Sequence, residues 1–263
     1  MDHTRPMIIK KDCNCTPVGK NRPLHIYLPE NYYETDERYP VMYFFDGHNL
    51  FYDQDATYGK SWGLKDFLDS WPKPMIIVGF ECGHEGRERL NEYSPYSFNS
   101  SYLGKVEGIG DEILRWIIGE VKPAIDQEFR TWSHREATGI GGSSMGGLMS
   151  LYGVVKYNDV FSKAACVSSA IIPCYRKLCT DIRRSAMQED TRIWLSYGED
   201  EALGRKDKTR ELFETTTSRY TGKILELFSD KKVMTRTYVQ PHGRHCEADW
   251  EQQVPMFMDY LWM

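Results

Sequence analysis

The sequence predicts an α/β fold, with a mostly parallel central sheet, helices on both faces and antiparallel strands at its start. Three observations carry this. Short unbroken apolar runs, Val41-Met42-Tyr43-Phe44-Phe45 and Met75-Ile76-Ile77-Val78-Gly79-Phe80, suit strands buried on both faces. Other apolar residues recur at helical spacing between such runs, so strands and helices alternate. A glycine-flanked serine, Gly142-Ser143-Ser144-Met145-Gly146, stands between a β-like run and a helix-like one.

Taken in order, Met7-Ile8-Ile9-Lys10 and Leu24-His25-Ile26-Tyr27-Leu28 read as two opening strands paired antiparallel. Ser61 to Leu68 reads as a helix between the two buried runs. Ile109, Ile113, Trp116, Ile117, Val121, Ile125 and Phe129 mark a long amphipathic helix with a kink near Pro123. Arg135 to Ile140 is the strand before the serine, and Leu148 to Tyr152 lies in the helix after it. Ala164 to Ser168 and Ile193 to Tyr197 read as strands. Between them Ile171 to Glu189 is polar and irregular, as in an inserted loop. A helix from about Lys206 to Phe228, a strand from Val233 to Val239 and a closing helix marked by Trp250, Val254, Phe257 and Leu261 complete the chain. No repeat or linker interrupts it. We expect residues 1–263 to form a single α/β domain, with a small cap or insertion at about 171–190.

Composition narrows the function. Hydrophobic residues at 41% and charged residues at 27% are ordinary for a globular protein. A net charge of −5 argues against nucleic acid or an anionic membrane as partner. No apolar run reaches the roughly 20 residues needed to span a bilayer. The start, Met1-Asp2-His3-Thr4-Arg5-Pro6, lacks the basic-then-apolar pattern of a signal peptide. The seven cysteines are odd in number and scattered, which fits reduced thiols in a cytoplasmic protein. Homodimerisation is compatible with the sequence, but no specific feature requires it.

The glycine-flanked serine is where chemistry enters. Strand, tight turn and helix with G-x-S-x-G is the nucleophile elbow of serine hydrolases. Glycines two residues to either side identify Ser144, not Ser143, as the nucleophile, because side chains at 142 and 146 would collide across so sharp a turn. A serine hydroxyl needs a base. Downstream of Ser144 the histidines are His242 and His245, both just after the strand ending at Val239. His245, at the entry to the last helix, is the better placed. The acid belongs after the strand ending at Tyr197, where Glu199, Asp200 and Glu201 follow Gly198 and spacing leaves all three open. Two backbone N–H groups must hold the oxyanion: that of Met145, after the nucleophile, and one from the loop Asp46-Gly47-His48-Asn49-Leu50.

This chemistry requires no cofactor and no metal. A zinc site from His242, His245 and Cys246 would lack a fourth ligand, and Cys13-Asn14-Cys15 lacks a second ligand pair at metal-site spacing. Trp62, Tyr93, Tyr96 and Phe98 are candidates for aromatic walls of a substrate pocket, Trp62 and Tyr93 foremost. The run His84 to Arg89 reads as a solvated loop or an anion-binding segment.

Several stretches together resemble the putative esterase family of α/β-hydrolases, which includes esterase D, feruloyl esterases, ferric enterobactin esterases and the antigen 85 mycolyltransferases. They are Tyr43 to Phe51, Asn91 to Pro95, Glu128 to Thr131, Gly142 to Leu148 and Gly243 to Trp250. The resemblance implies the α/β-hydrolase fold, Ser144 as nucleophile and His245 as base. It places the acid three residues after the glycine closing the preceding strand, hence Glu201, with Asp200 as the alternative. Relatives often carry a small residue where this chain has Glu199. The second oxyanion donor, after the Asp-Gly pair, matches His48. The expected function is hydrolysis of a small-molecule carboxylic ester by a Ser-His-acid triad through an acyl-enzyme. Acyl transfer of the mycolyltransferase type is the nearest alternative. A non-catalytic binding protein on the same scaffold is the other, and such proteins usually lack the nucleophile or histidine found here.

Overall fold

The computed structural model describes residues 7–101, 103–202 and 215–263. Its strands are β1 (Met7–Cys15), β2 (Lys20–Leu28), β3 (Val41–Phe45), β4 (Ile76–Phe80), β5 (Phe98–Ser100), β6 (Gly104–Val106), β7 (Thr138–Ser143), β8 (Lys163–Val167), β9 (Arg192–Gly198) and β10 (Met234–Gln240). Eight of these form one sheet in the order β1-β2-β4-β3-β7-β8-β9-β10, while β5 and β6 pair separately. β1, β2 and β4 run antiparallel to their neighbours in turn, and every pair from β4 to β10 is parallel. With the helices around it, this is the α/β-hydrolase architecture the sequence predicts.

Why the central strands are apolar throughout is plain from their burial. Every residue of β3, β4 and β7 is buried. Successive side chains of a strand face opposite ways. Val41, Tyr43 and Phe45 therefore enter one core and Met42 and Phe44 the other. Helices α3 (Gly110–Trp116), α4 (Lys122–Glu128), α5 (Met145–Lys156), α6 (Tyr175–Arg184) and α7 (Thr216–Ser229) contribute to the first core. Helices α1 (Leu64–Ser70), α8 (Glu247–Glu251) and α9 (Val254–Trp262) contribute to the second. A short helix, α2 (Glu88–Glu92), lies between β4 and β5.

Four local readings change. The amphipathic run 109–129 is helical, but its irregularity is a π turn at Ile117–Val121, where the Lys122 N–H bonds five residues back to Ile117. Pro123, which has no N–H to give to the preceding turn, follows that π turn directly as the second residue of α4. Arg135–Ala137 is a 3-10 turn, so the strand begins only at Thr138. The segment read as irregular, 171–189, contains α6, which buries Leu178, Cys179 and Ile182 and packs on α5 and α7. The closing helix is two, α8 and α9, with Pro255 in the first turn of α9. The helix read from Lys206 is described from Thr216 to Ser229, and residues 206–214 lie outside the described residues.

Candidate active site

In a parallel sheet, ligands bind at the carboxyl ends of the strands where the strand order reverses. Here the chain goes from β3 outward to β4 and later returns to place β7 on the other side of β3. The loops that leave β3 and β7 therefore flank one crevice, and they carry Asp46-Gly47-His48 and Ser144.

Ser144 sits between β7 and α5 with φ 57° and ψ −119°, a backbone conformation an L-residue rarely adopts. The flanking glycines make it possible. A Cβ on Gly142 would lie 2.9 Å from the Gly146 carbonyl carbon, and one on Gly146 would lie 2.8 Å from Phe45 Cβ. The Ser144 N–H bonds to Val167 O at 3.0 Å, and Ser144 O accepts from Ala170 N at 2.9 Å. The main chain of Ser144 is thus stitched to the end of β8 and to the segment that follows it.

The loop after β3 is locked from three sides. Asp46 adopts a left-handed conformation, φ 59°. Its buried carboxylate receives Arg89 Nε at 2.8 Å and Nη2 at 2.7 Å. Burial alone would raise its pKa, but the Arg89 charge and bonds outweigh that and hold it below the usual carboxylate value. Its N–H donates to the Tyr93 hydroxyl at 3.3 Å, and that hydroxyl donates to Phe80 O at 3.2 Å. Gly47 must be glycine because a Cβ there would meet the Gly79 backbone at 2.5 Å. Among the described residues neither the His48 nor the Met145 N–H meets an acceptor. The His48 imidazole is engaged elsewhere, with Nε2 2.9 Å from Thr57 Oγ1. Burial lowers its pKa, against the opposing pull of nearby Asp46 and Glu81.

Of the three carboxylates after β9, Glu201 meets the His245 ring, through Oε2 and Nδ1. Its other oxygen accepts from Ser168 Oγ at 2.5 Å and from the Gly198 N–H at 2.6 Å. Trp250 Nε1 donates to Ser168 Oγ at 2.9 Å, and the Trp250 indole also stands edge-on to His245, centroids 5.0 Å apart. Burial pushes the Glu201 pKa up, but the bonds from His245, Ser168 and Gly198 bring it below the ordinary value. Asp200 is engaged through its N–H, on Gly243 O at 3.0 Å, and Glu199 accepts from the His242 N–H at 3.1 Å. The turns bearing acid and histidine touch directly: a Cβ on Gly198 would overlap the Gly243 carbonyl. Among the described residues neither Ser144 Oγ nor His245 Nε2 makes a hydrogen bond, so their contact is not formed in this structure. Such bonds commonly tighten only when substrate binds.

Two readings fail. Trp62 and Tyr93, expected as pocket walls, are only 2% and 1% exposed. Trp62 packs among Phe44, Trp250 and Phe257, while Tyr93 stands against Phe45 and braces Asp46. Tyr96 is half-buried, with its hydroxyl on Asp181 at 2.6 Å. Conversely, Arg89, Ser168 and Trp250 have site contacts that sequence reasoning did not assign. Arg89 had a signal, lying in the charged run 84–89, but nothing there pointed to Asp46.

The architecture is the α/β-hydrolase fold. The chain belongs to the Putative esterase family, which matches residues 16–259, and it is an enzyme of the carboxylesterase class. It is 26% identical over 199 residues to the uncharacterized protein YbbA of Bacillus subtilis, covering 74% of this chain and 75% of YbbA. It is 30% identical over 151 residues to Esterase Rv1288 of Mycobacterium tuberculosis, which is 56% of this chain but 29% of that protein. An IroE-like serine hydrolase from Shewanella oneidensis has the same fold, with a TM-score of 0.69, 19% identity and coverage of 97% of this chain and 79% of its own. Among the described residues no helix is long and apolar enough to cross a membrane.

Proposed function

We propose that the chain hydrolyses small carboxylic esters through an acyl-enzyme on Ser144. His245 takes the serine proton as the hydroxyl attacks the ester carbonyl, and Glu201 stabilises the imidazolium and fixes its orientation. The Met145 and His48 N–H groups receive the oxyanion. His245 then protonates the leaving alcohol, and water repeats the sequence to free the acid. The observations that carry this reading are the Glu201–His245 contact, braced by Ser168 and Trp250, and the strained backbone of Ser144 at φ 57°. Seven free cysteines support a reducing, cytoplasmic setting.

A screen of p-nitrophenyl acetate, butyrate and octanoate beside methyl ferulate ranks acyl groups directly. A fluorophosphonate probe should label the wild type at Ser144 and leave Ser144→Ala unlabelled, with esterase turnover lost in parallel. Labelling that survives in Ser144→Ala would sink the assignment. Added alcohol distinguishes hydrolysis from transfer through the products formed.

A further inference from the structure

One polar cluster is not used by the mechanism. It lines an open cleft of about 630 Å³ on the flank of the His48 loop. At its centre is the Glu81 carboxylate, whose Oε1 lies 2.6 Å from His25 Nε2 and whose Oε2 lies 2.7 Å from His84 Nε2. His48 Nδ1 stands 4.0 Å from the same Oε2. His48 is 8% exposed, and its Nδ1 is buried without a hydrogen-bond partner.

That orphaned nitrogen is the informative feature. His48 Nε2 already pairs with Thr57 Oγ1, and the tautomer that donates there turns a lone pair on Nδ1 into the cleft, free to bind an ion. Buried polar atoms normally have partners, and an unpaired one costs about 1–3 kcal/mol. Neither Glu81 nor His84 supplies a hydrogen bond to it.

We propose that His48 Nδ1, Glu81 and His84 bind a divalent transition-metal ion of the zinc type. Ligand atoms from the three residues lie within 4.8 Å of one another. Zinc bonds of about 2.0–2.1 Å require ligand atoms roughly 3.3 Å apart, so the site must contract. His84 can supply that movement, because its side chain is 53% exposed. Two imidazoles and a carboxylate match the preferences of zinc, and the open cleft leaves a position for water. The surrounding bonds are those that orient ligands in such sites: Thr57 holds the far nitrogen of the His48 ring, and His25 holds the far oxygen of Glu81. On binding, the Glu81–His84 hydrogen bond gives way to metal bonds, and the His84 proton moves to the outer ring nitrogen. Neighbouring cations do not block the ion, since Lys10 pairs with Asp55 at 2.7 Å and Lys11 pairs with Glu128. The site does not depend on the esterase reading.

Isothermal titration of the full chain with zinc chloride tests this, with cobalt(II) absorption as a second readout. One equivalent should bind, and His84→Ala should weaken it at least 10-fold while circular dichroism stays unchanged. Glu81→Gln should act alike, and Ser144→Ala should bind as wild type does. Cobalt should give tetrahedral bands without a sulfur charge-transfer band. No binding, binding unchanged in His84→Ala, or a sulfur band assigning the ion to a cysteine would each overturn the proposal.

Discussion

Arg89 holds Asp46 by two parallel bonds, Nε to Oδ1 at 2.8 Å and Nη2 to Oδ2 at 2.7 Å, across 43 residues of chain. The grip fixes a left-handed residue two positions ahead of His48. A flexible loop there would have to be ordered anew in each transition state, whereas a clamped one is preorganised.

Arg89→Ala should therefore lower kcat by about 10²-fold with little change in KM, because an oxyanion donor matters only as charge develops. It should also cost stability, since Asp46 would be left buried and unpaired. Loss of one partner of a buried pair costs about 3–5 kcal/mol, and the partial exposure of Arg89 brings the expectation to roughly 2–3. Steady-state kinetics and urea unfolding measure the two effects.

Ser168→Ala removes a donor from Glu201 and strands the Trp250 indole N–H. We expect about 1–2 kcal/mol of lost stability and a kcat reduced about 10-fold, with the butyrate KM held. An unchanged kcat would mean that Ser168 does not position the acid.

Glu201 gives a pH signature. Its folded-state pKa is depressed, so its contribution to stability is complete above the ordinary glutamate value of about 4.3 and is lost as pH falls through the folded value. Glu201→Gln should be less stable than wild type by about 1–3 kcal/mol at pH 7. The gap should close as pH falls below about 4.3, which urea melts from pH 7 to 3 would follow.

Gly142→Ala places a methyl against the main chain of Gly146, which cannot swing aside as a side chain would. A stability loss of about 1–3 kcal/mol is expected, together with loss of turnover as the elbow shifts. Thermal melts and p-nitrophenyl ester assays check both.

What could be read in advance follows from the range of the interaction. The elbow is a local pattern, and the buried strands announce themselves as apolar runs, so β3, β4 and β7 were legible. Ser168–Trp250 and Asp46–Arg89 join residues 82 and 43 positions apart, and such pairs leave no periodic trace. Trp62 and Tyr93 were misread because an aromatic ring in a core and one in a pocket wall look identical in sequence. Helix α6 hid behind its polar face, with few apolar residues turned inward.

The abutting glycines 198 and 243 have a mechanical consequence. Glu201 and His245 ride on turns joined main chain to main chain, so neither turn can shift at that rim of the sheet without pressing on the other. A side chain at either glycine would therefore wedge the two turns apart and pull Glu201 away from the His245 ring.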